Sequence, residues 1–386
     1  MKNNKELECC VFYFFNENEL QMKKQKTHKV VKSDFFIQNE IRNHKRLSKS
    51  NNKQHFYLCN NASELKITEI LEDDVKIIGQ KCLKNDDSIL LEFEKRKLIY
   101  FKNYLKELID DSSKKYILTI IHFYKHILNS IELLVNNNIF HNHINFDSIV
   151  VDNFDYPLLT NFYFSIDFSH KNIEQYIKQF IIAYDPSYIE WPIELHILSY
   201  LLTNKLSSLS SYNIENIINE VIKNNNILNI FGDSLVSSYK KEASKYFNKY
   251  VNQTYDFILN DILQYIHTWD NYALSILFLR ILIGIHRTIK IKNKFIILFM
   301  KLLVSNMHLN PSKRHSVNIT IESFNSLLDN LEIKDYKDII NSLMSATSSS
   351  TTSSSRSASR FSSSPTETSF TSSANISSAH TFTFSS

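Results

Sequence analysis

Glycine, proline and cysteine are all scarce in this 386-residue chain, which holds three, five and four of them. So few glycines leave little material for a loop whose bare backbone N–H groups close around phosphates. The four cysteines, Cys9, Cys10, Cys59 and Cys82, fall in the first quarter of the chain without metal-ligand spacing. Adjacent Cys9 and Cys10 would face opposite sides of a strand, so free, buried thiols in a reducing compartment are expected. Long apolar runs are missing as well. The longest, Phe295 to Met307, is broken by Lys301 and falls short of the roughly 18 to 20 residues a membrane helix needs. Lys2, Lys5, Glu6 and Glu8 lead into the apolar run Cys9 to Phe15, which is too short and too acidic in its lead for a secretory signal. Positive charge is nowhere concentrated: 44 Lys and Arg face 40 Asp and Glu, a net charge of +4 spread along the chain. That excludes the basic stripe of a nucleic-acid binder. The absences together predict an intracellular, cytoplasmic protein (in the host cytoplasm if the source is viral) with neither membrane nor nucleic acid as partner.

What is abundant is Asn, Lys and Ile, a bias that fits an AT-rich genome and weakens any argument from a single missing glycine. The hydrophobic fraction of 43% is enough to build a core for one large domain or two small ones. Short apolar strands and one helical segment fill the first hundred residues, and helical periodicity dominates afterwards. Tyr116-Ile117, Ile120-Ile121, Tyr124, Ile127-Leu128, Ile131 and Leu134-Val135 recur on one face for about five turns. An α+β fold is therefore expected.

The stretch after that helix is the most specific in the chain. It contains His141-Asn142-His143-Ile144-Asn145-Phe146-Asp147-Ser148, then the strand Ile149-Val150-Val151, then Leu158-Leu159-Thr160-Asn161-Phe162-Tyr163. It resembles the catalytic core of protein kinases, where His-Arg-Asp precedes Leu-Lys-Pro-Glu-Asn and a later strand ends in Asp-Phe-Gly. More distant segments extend the likeness. Lys29-Val30-Val31-Lys32 and Phe36 to Ile41 are similar to the family's lysine-bearing strand and its partner helix, with Lys32 and Glu40 as the implied nucleotide-site pair. Ser88 to Glu94 is similar to the last small-lobe strand and hinge, which implies Glu92 and Phe93 beside a nucleotide. In place of a glycine-rich loop stands Phe14-Phe15-Asn16-Glu17-Asn18-Glu19, whose bulk and acidity would obstruct a triphosphate. Asp270 to Gly284 resembles the segment in which an Asp opens a long apolar helix that closes on Gly. Leu302 to Arg314 resembles the late Leu-Leu-x-x-Met-Leu-x-x-Asp-Pro-x-x-Arg motif, and Trp191-Pro192-Ile193-Glu194 is a loose counterpart of Ala-Pro-Glu. The likeness implies a buried Glu194–Arg314 ion pair, with His141, Phe162 and Asp270 as further structural positions. His44 stands where the family's buried spine expects an aliphatic residue.

The resemblance implies a two-lobed, protein-kinase-like fold: an N-lobe over 1–94 and a mainly helical C-lobe over 95–344. Residues 196–262 exceed what the family places there. Ile214, Ile217, Ile218, Val221 and Ile222, and then Tyr246, Phe247, Tyr250 and Val251, predict a helical insertion of at least two helices, with Asn224 to Asn226 as a loop. From Ser345 to Ser386 about two thirds of residues are Ser or Thr, which predicts a disordered tail. Arg356 and Arg360 among serines, and Ser364 before Pro365, make it a plausible substrate for other kinases.

Phosphoryl transfer needs a carboxylate base, hard oxygen ligands for magnesium and cations on the phosphates. The matching positions hold His143 for the base, Asn145 for the lysine, and Ser148 and Asn161 for the metal ligands. Asp147 and Asp167 are the nearby carboxylates, Asp147 as a second catalytic candidate and Asp167 as a metal candidate, both out of register. No Ser/His/Asp or metal-ligand cluster points to a hydrolase or zinc enzyme. The expectation is a catalytically impaired kinase homologue that acts as scaffold or allosteric partner of another protein, with ATP and magnesium as cofactors only if the pocket functions. An atypical active Ser/Thr kinase using His143 or Asp147 is the first alternative. A helical interaction protein unrelated to kinases is the second, favoured if Glu194 and Arg314 lie far apart.

Overall fold

A computed structural model of the chain describes residues 10–12, 26–49, 52–64, 88–111, 113–181, 183–228, 232–289 and 294–330. Cys9, Cys82, the run Phe14 to Glu19, the tail 345–386 and the side chain of Lys32 lie outside the described residues. Four strands, β1 (Cys10–Phe12), β2 (Lys26–Lys32), β3 (Cys59–Glu64) and β4 (Ser88–Glu94), form an antiparallel sheet in the order β1-β2-β4-β3. Period-2 alternation puts Ile89, Leu91 and Phe93 of β4 on one buried face. Helix α1 (Phe35–Leu47) packs there, and Val31, Ile37, Ile41 and Cys59 complete the apolar cluster. Asp34 starts α1 by accepting the Ile37 N–H at 2.9 Å, and His44, Lys45 and Arg46 in its last turn suit the helix dipole.

Beyond β4 the chain is mostly helical. Strand β5 (Ile99–Tyr100) leads into α2 (Phe101–Asp111) and α3 (Ser113–Asn136). The apolar stripe of α3 predicted from the sequence is the centre of the largest core, with Ile117, Ile120, Tyr124, Ile127 and Ile131 fully buried. Two small antiparallel sheets follow. β5 joins β7 (Ile149–Val151) and β8 (Pro157–Leu159), while β6 (Ile139–Phe140) pairs with β9 (Ile166–Asp167). Then come α4 (Ile173–Ile177), α5 (Ile193–Thr203), α6 (Ser211–Asn224), α7 (Asp233–Phe247) and α8 (Tyr255–Leu263). The last three among the described residues are α9 (Trp269–Ile289), α10 (Lys294–Asn306) and α11 (Val317–Asp329). The fold is thus α+β, mainly helical with small antiparallel sheets. Among the described residues no helix is long and apolar enough to cross a membrane.

The segment 196–262 differs from its expected form in detail. α6 buries Ile214, Ile217, Ile218, Val221 and Ile222, starting from a Ser210–Asn213 capping box, and ends at Asn224. The second helix, α7, stops at Phe247 rather than running to Val251. A 3-10 turn, Asn248–Tyr250, follows, and Val251 bridges to Leu209. A third helix, α8, buries Ile258, Leu259, Ile262 and Leu263. One expectation is corrected outright: Gly284 does not close α9, which continues to Ile289. Glycine in a helix interior costs only about 1 kcal/mol against alanine, and the fully buried Leu274, Leu277, Phe278 and Leu282 fix the helix through packing.

Candidate functional site

His141, His143, Asn145, Asp147 and Ser148 stand on the loop between β6 and β7, and Asp270 and Asn161 bond to it. Asp270, in the first turn of α9, holds this loop by its backbone: its two carboxylate oxygens accept the His141 N–H at 2.6 Å and the Asn142 N–H at 2.8 Å. Burial pushes the Asp270 carboxyl up to about 6 against the opposing effect of those two bonds. Asn142 has φ 58°, in the left-handed region that Asn tolerates better than most residues. His141 donates from Nε2 to the Thr160 carbonyl at 2.8 Å, and its ring meets Phe162 edge-on at 4.9 Å. Phe162 in turn packs on His44 at 5.4 Å, and His44 approaches Phe93 at 6.3 Å. The Cys59 N–H donates to His44 Nδ1 at 3.0 Å, so the ring proton is on Nε2, which faces Glu40 Oε1 at 3.7 Å. Four aromatic rings from α1, β4 and the two loops therefore form one buried column.

His143 lies beside this column and is tied on both sides. Asn145 Oδ1 accepts the N–H groups of Asp147 and Ser148 at 2.8 and 3.1 Å, which turns its amide nitrogen toward His143 Nε2 at 3.2 Å. The proton of the neutral ring therefore sits on Nδ1 and is donated to the Tyr188 hydroxyl at 2.8 Å. The Tyr188 ring also stacks on the imidazole at 14°. Burial, reinforced by His141, pushes His143 down to about 3. Ser148 Oγ accepts the Asn145 N–H at 2.9 Å and donates back to its carbonyl at 3.0 Å, closing a capping box. Asn161, at φ 63°, donates from its side chain to the Asp147 carbonyl at 2.8 Å. Thus His143, Asn145, Ser148 and Asn161 are each engaged in local bonds. The Asp147 side chain is exposed.

These residues do not fit magnesium. Asn161 points an amide donor at a backbone carbonyl, and Ser148 uses its hydroxyl in the capping box, whereas the ion needs hard, preferably anionic oxygens. Asp167 is committed elsewhere: it pairs with Arg46 and accepts the Ser169 N–H at 3.0 Å and hydroxyl at 2.5 Å. Burial works to raise its carboxyl, but bonds from Ser169 and Arg46 outweigh it and hold it below the usual range. Among the described residues no group of three or more His, Cys, Asp and Glu could hold a metal. Of the nucleotide-side candidates, Glu40 is buried next to His44, and Phe93 lies in the core stacked on Tyr57 at 5.1 Å. Glu92 is half-buried on the opposite face of β4.

The structure brings Glu194 and Arg314 together. Nη1 and Nη2 of Arg314 donate to the two carboxylate oxygens at 2.5 and 3.0 Å, with both side chains essentially inaccessible. Arg314 Nε also donates to the His308 carbonyl at 2.7 Å, so the pair ties the first turn of α5 to the turn before α11. The chain matches no protein-family model and no curated protein. Its site therefore rests on its own geometry.

That geometry includes residues which the sequence did not single out. Asn39, Asn43 and Arg46 occupy one face of α1 at i, i+4 and i+7. Asn39 Nδ2 donates to the Tyr163 and Ser165 carbonyls at 3.0 and 2.8 Å, and Asn43 Nδ2 to Ser165 at 3.4 Å. Arg46 donates to the Asn137 carbonyl at 2.6 Å and the Ser169 hydroxyl at 2.8 Å, besides its pair with Asp167. The Tyr176 hydroxyl donates to Asn39 Oδ1. The spacing of Asn39, Asn43 and Arg46 along one face of the helix was the available signal. Tyr188 had none, because its partner His143 lies 45 residues away.

Proposed function

We propose that this chain is a protein-kinase-like protein with impaired catalysis, which works by binding another protein as scaffold or allosteric partner. The observation that carries the reading is that His143, Asn145 and Ser148 bond to one another in sequence and Asn161 bonds to the Asp147 carbonyl, with His143 held by Tyr188 and Asn145. A general base is most effective with a pKa near the working pH and contributes about 10²- to 10⁴-fold. An imidazole held at about 3 takes up a proton too reluctantly for that role. Support for the kinase-like part comes from the sheet order β1-β2-β4-β3 with α1 between β2 and β3, the Asp270 grip on His141 and Asn142, and the column from His141 to Phe93. In this reading 1–94 and 95–344 are the two lobes. The unrelated helical alternative was to be favoured if Glu194 and Arg314 lay far apart, and their bidentate pair does not lend it that support.

Fixed contacts around α1 fit a binding role. The Asn39, Asn43 and Arg46 bonds fix α1 to residues 163–169, the contact that would otherwise respond to ligand. The test is phosphate incorporation from labelled ATP with magnesium into the chain itself and into generic Ser/Thr substrates. Background incorporation, equal in wild type and His143→Ala, is the expected result. Transfer that disappears in His143→Ala would instead establish the atypical kinase.

A further inference from the structure

Two cavities of about 260 and 700 Å³ lie side by side and share Lys53, Glu94 and Arg96 as lining residues, so together they outline one grooved surface. One reaches Lys49, Tyr57 and Asn60 along the edge of the four-stranded sheet; the other reaches Lys97, Phe154 and Tyr156 at the β7–β8 turn. We propose that this groove docks an acidic segment of a partner protein, anchored by one aromatic or aliphatic side chain. The inference deepens the binding role proposed above. Nucleotide binding and phosphate transfer, which test that role, are not read out in the experiment below, so the two fail separately.

Charge selects the partner. Five cationic side chains line the groove, Lys49, Lys53, Lys95, Arg96 and Lys97, against the carboxylates of Glu94 and Asp152. Arg96 donates to Glu94 Oε2 at 3.1 Å and to the Lys53 carbonyl at 3.2 Å, and lies 4.0 Å from Asp152. One cation thus sits over both carboxylates, and the positive surplus falls to the lysines along the rim, where it steers an anionic partner. The same two carboxylates disfavour nucleic acid, whose phosphates repeat without a break, whereas a peptide spaces its carboxylates and supplies N–H groups between them.

The anchor site is preformed. Phe154 is 73% and Tyr156 42% exposed, so two aromatic side chains of one turn stand open beside the cationic lining. Asp152 Oδ1 accepts the Phe154 and Tyr156 N–H groups at 2.9 and 3.0 Å, which fixes the turn. Behind it, Tyr156 leans on His126, itself stacked on His55 at 4.6 Å. An aromatic surface held rigid before binding loses little entropy when a partner arrives, and rigid aromatics are the usual anchors of interfaces.

The test uses the full chain and a fluorescein-labelled random copolymer of glutamate and tyrosine, followed by anisotropy. Binding that weakens with salt is expected, and Lys53→Glu combined with Lys97→Glu should weaken it about tenfold or more. Phe154→Ser should weaken it severalfold at unchanged charge. Lys240→Glu with Lys241→Glu, on the exposed face of α7, should leave it unchanged. Coincident thermal melts of all variants exclude misfolding. No binding by the wild type, equal loss in the α7 control, unchanged affinity in the groove variants, or tighter capture of an oligothymidylate through the same lysines would each overturn the proposal.

Discussion

At the scale of single residues, burial decides what the histidines can do. His55, His141 and His196 are pushed down to about 4 and His143 to about 3, in each case chiefly by desolvation. The unfolded chain takes up protons on these side chains below about 6.5, while the folded chain does so only near 4. The unfolded state therefore binds more protons between those values, and folding stability falls as pH drops through that window. Asp270, raised to about 6, acts oppositely between about 6 and 3.8, but one carboxyl faces four histidines. Urea unfolding should give a constant stability from pH 8 to about 6.5 and a loss of a few kcal/mol by about pH 4.5; a gain on acidification would contradict the assignment of neutral rings. Arg314 makes a second residue-scale prediction. Arg314→Ala strands the Glu194 carboxylate in the interior, which should cost about 3 to 5 kcal/mol. Replacing both partners by apolar residues should cost clearly less, and equal losses would mean that the charge was not the issue.

Among the elements, α1 links the four-stranded sheet to the segment after Asn161. In the sequence α3 and the α6 helix were legible from local periodicity, while β4 and, as a helix, α1 were read through a resemblance. The polar face of α1 was not legible: Asn39 finds Ser165 at a separation of 126 residues, and no periodicity encodes that distance. The site divides the same way. The loop residues 141–148 and 161–162 were legible through their resemblance to a known motif, whereas the engagement of His143 by Tyr188 depends on a loop with no regular pattern. His44, which stands where an aliphatic residue was expected, fits the column because the Cys59 N–H bonds its Nδ1 and Glu40 faces its Nε2 at 3.7 Å. Gly284 misled for a physical reason, since packing of α9 outweighs the small local cost of glycine. The α1 face predicts cooperative behaviour. Arg46→Ala should lower stability by about 1 to 3 kcal/mol and speed hydrogen exchange of the α1 amides and of residues 163–169 together. Faster exchange in α1 alone would show that the bonds do not couple the two segments.

At the scale of the whole molecule, the described residues join three apolar clusters: one under the four-stranded sheet, one around α3 and α9, and one that unites α5 with α6–α8. The third makes the segment 196–262 an integral part of the fold, with Ile217, Ile218, Phe247 and Tyr250 fully buried. A chain held by such packing, by the Glu194–Arg314 pair and by the α1 bonds has no evident need of nucleotide to reach its final posture. The most direct measurement of that claim is the thermal unfolding of the full chain with and without ATP and magnesium, with EDTA as control. A ligand at 100 times its dissociation constant adds about 2.7 kcal/mol to stability, enough to raise the midpoint by several degrees. The account predicts no shift at millimolar nucleotide, with or without the metal. A magnesium-dependent rise would contradict it and return His143, Asp147 and Asn161 to consideration as working catalytic groups.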